Sequence, residues 1–511
     1  MTTANKVFRG VALALAAWFI LLLCWVFARR FAYPYDLEWM EGGMLDHALR
    51  LAAGQPIYAP PSVDFIPYLY TPGYPGLVAL FGAIFGIGYK LGRFISIAGF
   101  FAVAVLGYVY ARREGGSRAT ALCAIAILFG AFVPTGTFYD LARPDSLFMG
   151  LVTAALCVGW WKRNRYGGGV AAALILVAAF FVKQTASPFM VVLGLFLLIA
   201  SPRVAVVYGL TLAVVGLPAL WICNHATGGW FWTYTSVLHR KHDFFAARAF
   251  FGTPARLALI LGPAILLVPW ALVRRRTPGL VYATLFALTG IFAACLSFGT
   301  QWAFTNAFMP GIMLPAIAIG VAAGNLVDDR HGSPPRLRPA AVYLLLALSI
   351  LTSPGGLLPI VGRHIPASWH PEALLVPTGY DPRIFIPTRQ DRAAGDSLIA
   401  RLRTTDGDVL IPFHPFYAHL AGKRDYLHRM GVMDIWRAGM GAPRGLVDAL
   451  DAHRFALVVM DDKIEGNWQM WPRLLDDYRM AGTIAGPHVV SGSPTVPRYL
   501  LVPNVIDKEL Q

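Results

Sequence analysis

Three carboxylates stand within six residues of one another in Tyr35-Asp36-Leu37-Glu38-Trp39-Met40-Glu41-Gly42-Gly43, just after an apolar run that ends in Arg29-Arg30. A carboxylate beside a hydrocarbon slab is costly unless it is hydrated, paired or bound to a cation. The chemistry such a set offers is a general base, or oxygen ligation of a hard divalent cation. Helix capping is the plainer use, with Asp36 as N-cap and Glu38 complementing the helix dipole in the first turn.

A second group is Phe138-Tyr139-Asp140-Leu141-Ala142-Arg143-Pro144-Asp145-Ser146, in a short turn between apolar runs. Asp145 could cap the following helix with Arg143 neutralising it. Two carboxylates and an arginine on one turn beside lipid exceed what capping needs. A third group is Lys183-Gln184-Thr185 at the end of another apolar run. A lysine there either snorkels to the interface or supplies a cation for a lipid phosphate. His239, Arg240, Lys241, His242 and Arg248 offer more cations between 224 and 254, beside an aromatic belt of Trp230, Trp232 and Tyr234.

What must position these groups is a membrane bundle. The chain has 511 residues, of which 57% are hydrophobic and only 14% charged; soluble domains carry about 25% charged residues. The net charge of +15 falls in short clusters between apolar runs, the pattern of topology signals and not of a nucleic-acid groove. All five cysteines lie in or beside apolar runs without CxxC spacing, which argues against disulfides and thiolate metal sites. No small-residue cleavage site follows the first run, so it is expected to be a retained signal-anchor.

Apolar stretches long enough for a ~30 Å hydrocarbon core fall at 10–28, 92–111, 119–138, 146–161, 168–182, 186–201, 204–223, 255–273, 279–298, 306–326 and 339–361. The glycine-punctuated stretch 75–89 is read as interfacial or re-entrant. With the N-terminus inside, Lys6/Arg9, Arg112/Arg113/Arg118, Lys162/Arg163/Arg165, Arg203, Arg274/Arg275/Arg276 and Arg330/Arg336/Arg338 become cytoplasmic, as the positive-inside rule prefers. About eleven spans then place the loop 29–91, the turns at 138–145, 183–185 and 298–305, the loop 224–254 and the tail on the outer face.

Within the first outer loop, Leu37, Met40, Met44, Leu45, Ala48 and Leu51 recur at helical spacing. They predict a helix over 37–53 lying on the membrane surface, apolar face down, followed by a shaped proline-rich loop over 60–75. The fold class expected is mainly α: a polytopic bundle over 1–361 with a small extracytoplasmic α/β domain over 362–511. Helices are expected at 391–403 and 445–453, and strands at 408–412, 455–460 and 498–502.

In their order and shared sidedness these groups resemble the GT-C class of integral-membrane glycosyltransferases, which includes protein O-mannosyltransferases, aminoarabinose transferases and arabinosyltransferases. The resemblance covers about residues 1–330. It implies a polyprenyl-phosphate-linked sugar as donor, a first-loop acid (Asp36, Glu38 or Glu41) as base, Asp140 or Asp145 as second acid, and Lys183 at the donor phosphate with Arg143, His239 and Arg240. Many members carry adjacent Asp-Glu before Gly; this chain has Met40-Glu41-Gly42, so Asp36 is the first choice and Glu41 the next. A Mg²⁺ or Mn²⁺ held by Asp36, Asp140 and Asp145 is compatible with such a site but not demanded. The expected activity is inverting transfer to an acceptor hydroxyl on a cell-envelope glycan, lipid or protein, at the outer face of a bacterial plasma membrane. A transporter or flippase of lipid-linked sugars is the rival reading; internal repeats and mid-membrane charges, its usual marks, are not evident.

Overall fold

The computed structural model describes residues 2–327, 339–355, 381–462 and 468–504. Each expected span overlaps a helix, the last part of 339–361 lying outside the described residues: α1 (Thr3–Phe31), α4 (Tyr89–Gly115), α5 (Arg118–Gly130), α6 (Pro144–Trp161), α7 (Tyr166–Val182), α8 (Ser187–Ala200), α9 (Pro202–Ala226), α10 (Arg248–Arg274), α11 (Pro278–Gly299), α12 (Thr305–Val327) and α13 (Pro339–Thr352). Between α1 and α4 lie α2 (Glu41–Ala52) and α3 (Gly73–Phe85). Among the described residues, six helices are long and apolar enough to cross a membrane, and five shorter apolar ones of 10–17 residues accompany them. The chain is a multi-pass membrane protein.

α12 is the axis. It is buried along its length and packs on α4, α5 and α11. Small residues permit this: a Cβ on Gly324 would lie 2.2 Å from the Gly115 carbonyl oxygen, the close approach that glycine allows between membrane helices. α4 and α6 set the two ends of the bundle. Arg93 and Asp145 sit at one end of these helices; Arg113 over Trp161 and Arg163 over Trp160 sit at the other. Twenty residues at 1.5 Å rise separate Arg93 from Arg113, about 30 Å, so acids and basic clusters occupy opposite ends. Arg330 and Arg336 lie outside the described residues, as does Arg338.

Two expectations change, at 119–138 and in the first-loop helix, while the 75–89 stretch is a short helix as expected. The helix at 119–138 stops at Gly130, because Pro134 and Gly136 interrupt it, and residues 131–137 turn with Thr137 at φ 62°. α3 covers 73–85 as a separate short helix with Leu80, Ile84 and Phe85 exposed, about 20 Å at helical rise and too short to span. The first-loop helix begins at Glu41, not Leu37, and does not lie free on a membrane surface. Residues 41–48 are all buried, against α3, α4 and the tail.

The tail carries β1 (Asp408–Leu410), β2 (Phe455–Asp461), β3 (Tyr478–Thr483) and β4 (Pro497–Pro503) in the order β1-β2-β4-β3, with β1 and β2 parallel and the other pairings antiparallel. Helices α14 (Arg389–Thr404), α15 (Phe416–Leu420), α16 (Arg429–Arg437) and α17 (Leu446–Asp451) accompany the sheet. β3, α15 and α16 were not expected. The tail is fused to the bundle: Leu398, Leu402, Ile411, Tyr417 and Val459 share one core with Leu37, Met44 and Leu45. The expected division at 361/362 lies outside the described residues.

Candidate active site

The site is a layer of buried charges where the first loop, the 131–143 turn and the tail meet. Each acid has its own cation. Arg30, at the end of α1, holds Asp140 through Nε at 2.7 Å and Nη2 at 3.0 Å, and also donates to the Phe385 carbonyl and Ser491 Oγ. Arg93 holds Glu41 through Nε at 3.0 Å and Nη2 at 2.7 Å, and donates to the Tyr33 and Tyr35 carbonyls. Glu41 accepts two further bonds, from Leu37 N and Ala142 N, both at 2.7 Å. Four donors saturate it, and through them it ties the first loop to the second turn.

Asp36 is also tied down. Its Oδ1 accepts from Gly42 N at 2.8 Å and its Oδ2 lies 2.7 Å from His414 Nδ1. His414 follows β1, and its Nε2 lies 3.0 Å from Asp461 Oδ2 at the end of β2. Burial would lower the imidazole, but the carboxylates of Asp461 and Asp36 push it up to about 10. A carboxylate only accepts, so an imidazole between two carboxylates holds both protons.

Glu38 differs. Its Oε2 accepts from Arg143 Nη1 at 2.7 Å; no second side-chain cation reaches it among the described residues. Burial, opposed by Arg143, pushes its carboxyl up to about 7. Arg143 also donates to Tyr70 OH at 2.9 Å, while its Nε is buried without a partner among the described residues. Asp145 accepts from Lys183 Nζ at 2.5 Å and Asn306 Nδ2 at 3.0 Å, leaving Oδ2 unpartnered there. Lys183 is the most open of these cations, with 15% of its side chain exposed. It directly precedes Gln184–Ala186 and the N-terminus of α8, where backbone N–H groups favour an anion.

His239 Nε2 and Gln184 Nε2 both reach the Leu69 carbonyl, at 3.0 and 2.8 Å. Burial takes the His239 imidazole down to about 4, so it stands as a neutral donor. Arg240 is exposed, bonds Ser236 Oγ at 3.0 Å and lies over Trp232; nothing joins it to the charge layer. The remainder of that loop docks on the tail, with His242 Nε2 3.3 Å from Asp434 and Asp243 paired with Arg437.

The divalent-cation expectation does not fit. Asp36, Asp140 and Asp145 face His414, Arg30 and Lys183 respectively, and no group of three His, Cys, Asp or Glu near enough to hold a metal occurs among the described residues.

Sequence reasoning missed Arg30 and Arg93 as partners, and His414 and Asp461 altogether. Arg93 carried a usable signal, since an arginine inside an apolar span is paired or functional by default. Gly42 and Gly43 also have their reason here. A Cβ on Gly42 would lie 2.8 Å from Phe416 Cβ, and one on Gly43 2.0 Å from Tyr68 OH, so the pair lets the tail and the Pro60–Pro75 loop rest on α2.

No family model and no curated protein matches the sequence. Solved structures do match in fold. ArnT from Cupriavidus metallidurans bound to undecaprenyl phosphate superposes with a TM-score of 0.59 at 13% identity, over 98% of each chain. Its apo state gives 0.58 at 13% identity, over 96% of this chain and 98% of that one. The archaeal oligosaccharyltransferase AglB from Archaeoglobus fulgidus, in complex with an inhibitory peptide and a dolichol-phosphate, gives 0.51 at 13% identity, over 92% of this chain and 72% of that one. Both are GT-C glycosyltransferases, and this chain has their fold from end to end, the tail included.

Proposed function

We propose that the chain is a glycosyltransferase that moves a sugar from a polyprenyl-phosphate donor to an acceptor hydroxyl, on the outer face of a plasma membrane. The observation that carries this is Glu38. Asp36, Glu38 and Glu41 have one cation each, but Glu38 accepts the fewest bonds, from Arg143 and the Met40 backbone, and its carboxyl near 7 matches the working range of a general base. Asp36 and Glu41 are held by other groups and shape the loop instead.

Arg143 and Lys183 supply the complementary half. Lys183 pairs with Asp145, which Arg143 also attracts, and Arg143 keeps a buried Nε without a partner among the described residues. A phosphate that gains charge as it leaves is stabilised by such fixed cations; His239 is neutral and spends its one N–H on the Leu69 carbonyl. In the reaction the acceptor oxygen bonds to the anomeric carbon while the bond from that carbon to the phosphate oxygen breaks. The hydroxyl proton passes to Glu38, and polyprenyl phosphate leaves as the anion. One base and a single displacement give inversion. ArnT, whose fold this chain shares, was solved with undecaprenyl phosphate bound, which fits a lipid-phosphate donor.

The test is transfer by the purified protein in lipid nanodiscs, read as release of polyprenyl phosphate from polyprenyl-phosphate-linked hexoses and pentoses. Lys183→Met is expected to raise the donor KM by tenfold or more. Movement of labelled donor between leaflets without release of polyprenyl phosphate would identify a flippase and overturn the proposal.

A further inference from the structure

We infer that His414 of the tail is a positioning residue of the transferase site, acting on Glu38 through Asp36 and the Leu37 peptide, which makes the tail part of the catalytic centre. The inference rests on the reading of Glu38 as base.

The connection is continuous. His414 joins Asp36 to Asp461 by bonds of 2.7 and 3.0 Å, and all three side chains are fully buried. Asp461 is fixed in turn by Thr495 Oγ1 at 2.6 Å, and the Asp36 backbone N donates to Tyr417 OH at 3.2 Å. One residue on, Leu37 N donates to Glu41, and its carbonyl accepts from Val490 N at 3.0 Å and Ser491 N at 2.9 Å. Gly492 N reaches the Gly136 carbonyl at 3.2 Å, which lays this tail segment across the site. Glu38 is the next residue, so tail atoms hold the two residues that precede it.

Gly492 shows how close the tail comes to the base. Its φ is +67°, and a Cβ there would lie 2.8 Å from Glu38 Cγ. The tail therefore packs directly against the Glu38 side chain, while the clamp at His414 holds the backbone from which Glu38 projects. Positioning of this kind acts on the reacting geometry and leaves donor binding at Lys183 and Arg143 alone.

The experiment compares His414→Phe, which removes both bonds, with His414→Asn, which keeps a donor toward Asp36 and loses the one to Asp461. Steady-state kinetics are measured in nanodiscs beside wild type and Lys183→Met, with melting followed in the same preparations. The expected result is a kcat loss of ~10²-fold or more for Phe and a smaller loss for Asn, with donor KM within about twofold of wild type. An unchanged kcat in folded His414→Phe, or a loss appearing only in KM, would overturn the inference. Should the Phe variant not fold, the same kcat-against-KM split in His414→Asn decides it. Failure of the base assignment reads out separately: Glu38→Gln would then stay active whatever His414 does.

Discussion

Substituting Glu38 by Gln separates a base from a structural acid, because the two roles predict opposite effects on stability. The Glu38 carboxyl lies near 7 in the folded protein against an ordinary 4.5, burial outweighing the attraction of Arg143. The folded state therefore holds that proton more tightly than the unfolded chain does. Stability attributable to Glu38 falls as pH rises from about 4.5 to about 7, and is level above that. A shift of some 2.5 units, at about 1.4 kcal/mol each, means that keeping Glu38 ionised at pH 8 costs the fold up to ~3 kcal/mol. Gln is neutral and can still accept from Arg143. Glu38→Gln is thus expected to melt at or above the wild-type temperature at pH 8, while kcat drops by ~10²–10⁴. The wild-type rate should rise with pH to a plateau, half-maximal near pH 7, and that inflection should be gone from the variant. The assay is polyprenyl phosphate release in nanodiscs, with melting followed in parallel. A Glu38→Gln protein that turns over within tenfold of wild type, or that loses activity only by unfolding, refutes the assignment.

Three further outcomes follow from the same geometry. Glu41→Gln leaves Arg93 buried without its counter-charge, so it should lose ~3–5 kcal/mol and elute or melt as a destabilised protein, the reverse of Glu38→Gln three residues away. Gly492→Ala places a side chain at φ +67° and against Glu38; a stability loss of ~1–2 kcal/mol, with a kcat loss exceeding what unfolding explains, is expected from melting and kinetics together. His414 is raised from 6.5 to about 10, so its contribution to stability is complete below about 6.5 and is lost as pH rises through about 10. Amide exchange over residues 36–42 and 490–492 should accelerate across that window in wild type, and His414→Asn should be free of the trend.

The bundle was legible because hydrocarbon thickness imposes one rule on every span, and the rule shows in a single chain. Apolar length located the helices, and the arginine pattern sorted the acids to one end and the basic clusters to the other. Helix boundaries were less legible where a local residue overrode the pattern, as Pro134 does in ending α5 early. The tail strands β1, β2 and β4 announced themselves by continuous apolar runs. β3, reading Tyr-Arg-Met-Ala-Gly-Thr, did not, because it lies at the sheet edge with Arg479, Met480 and Ala481 exposed, and no burial demanded an apolar pattern.

The choice among Asp36, Glu38 and Glu41 was not legible for a different reason. All three are carboxylates in one short stretch; only their partners distinguish them, and their charged side-chain partners are all distant in sequence. Glu41 meets Arg93 and the Ala142 amide, Asp36 meets His414, and Glu38 meets Arg143. One of those contacts comes from another span, two from the 131–143 turn and one from the tail, at separations of 52 to 378 residues. A base must keep a lone pair that the fold has not already used. Identifying it means counting the donors aimed at each oxygen, and that count exists only once the chain has closed on itself. The acid that best resembled the family motif, Glu41, receives the most donors, and Asp36 is held by a histidine that lies in no motif. Among Asp36, Glu38 and Glu41, the proposed base is the carboxylate that accepts the fewest bonds.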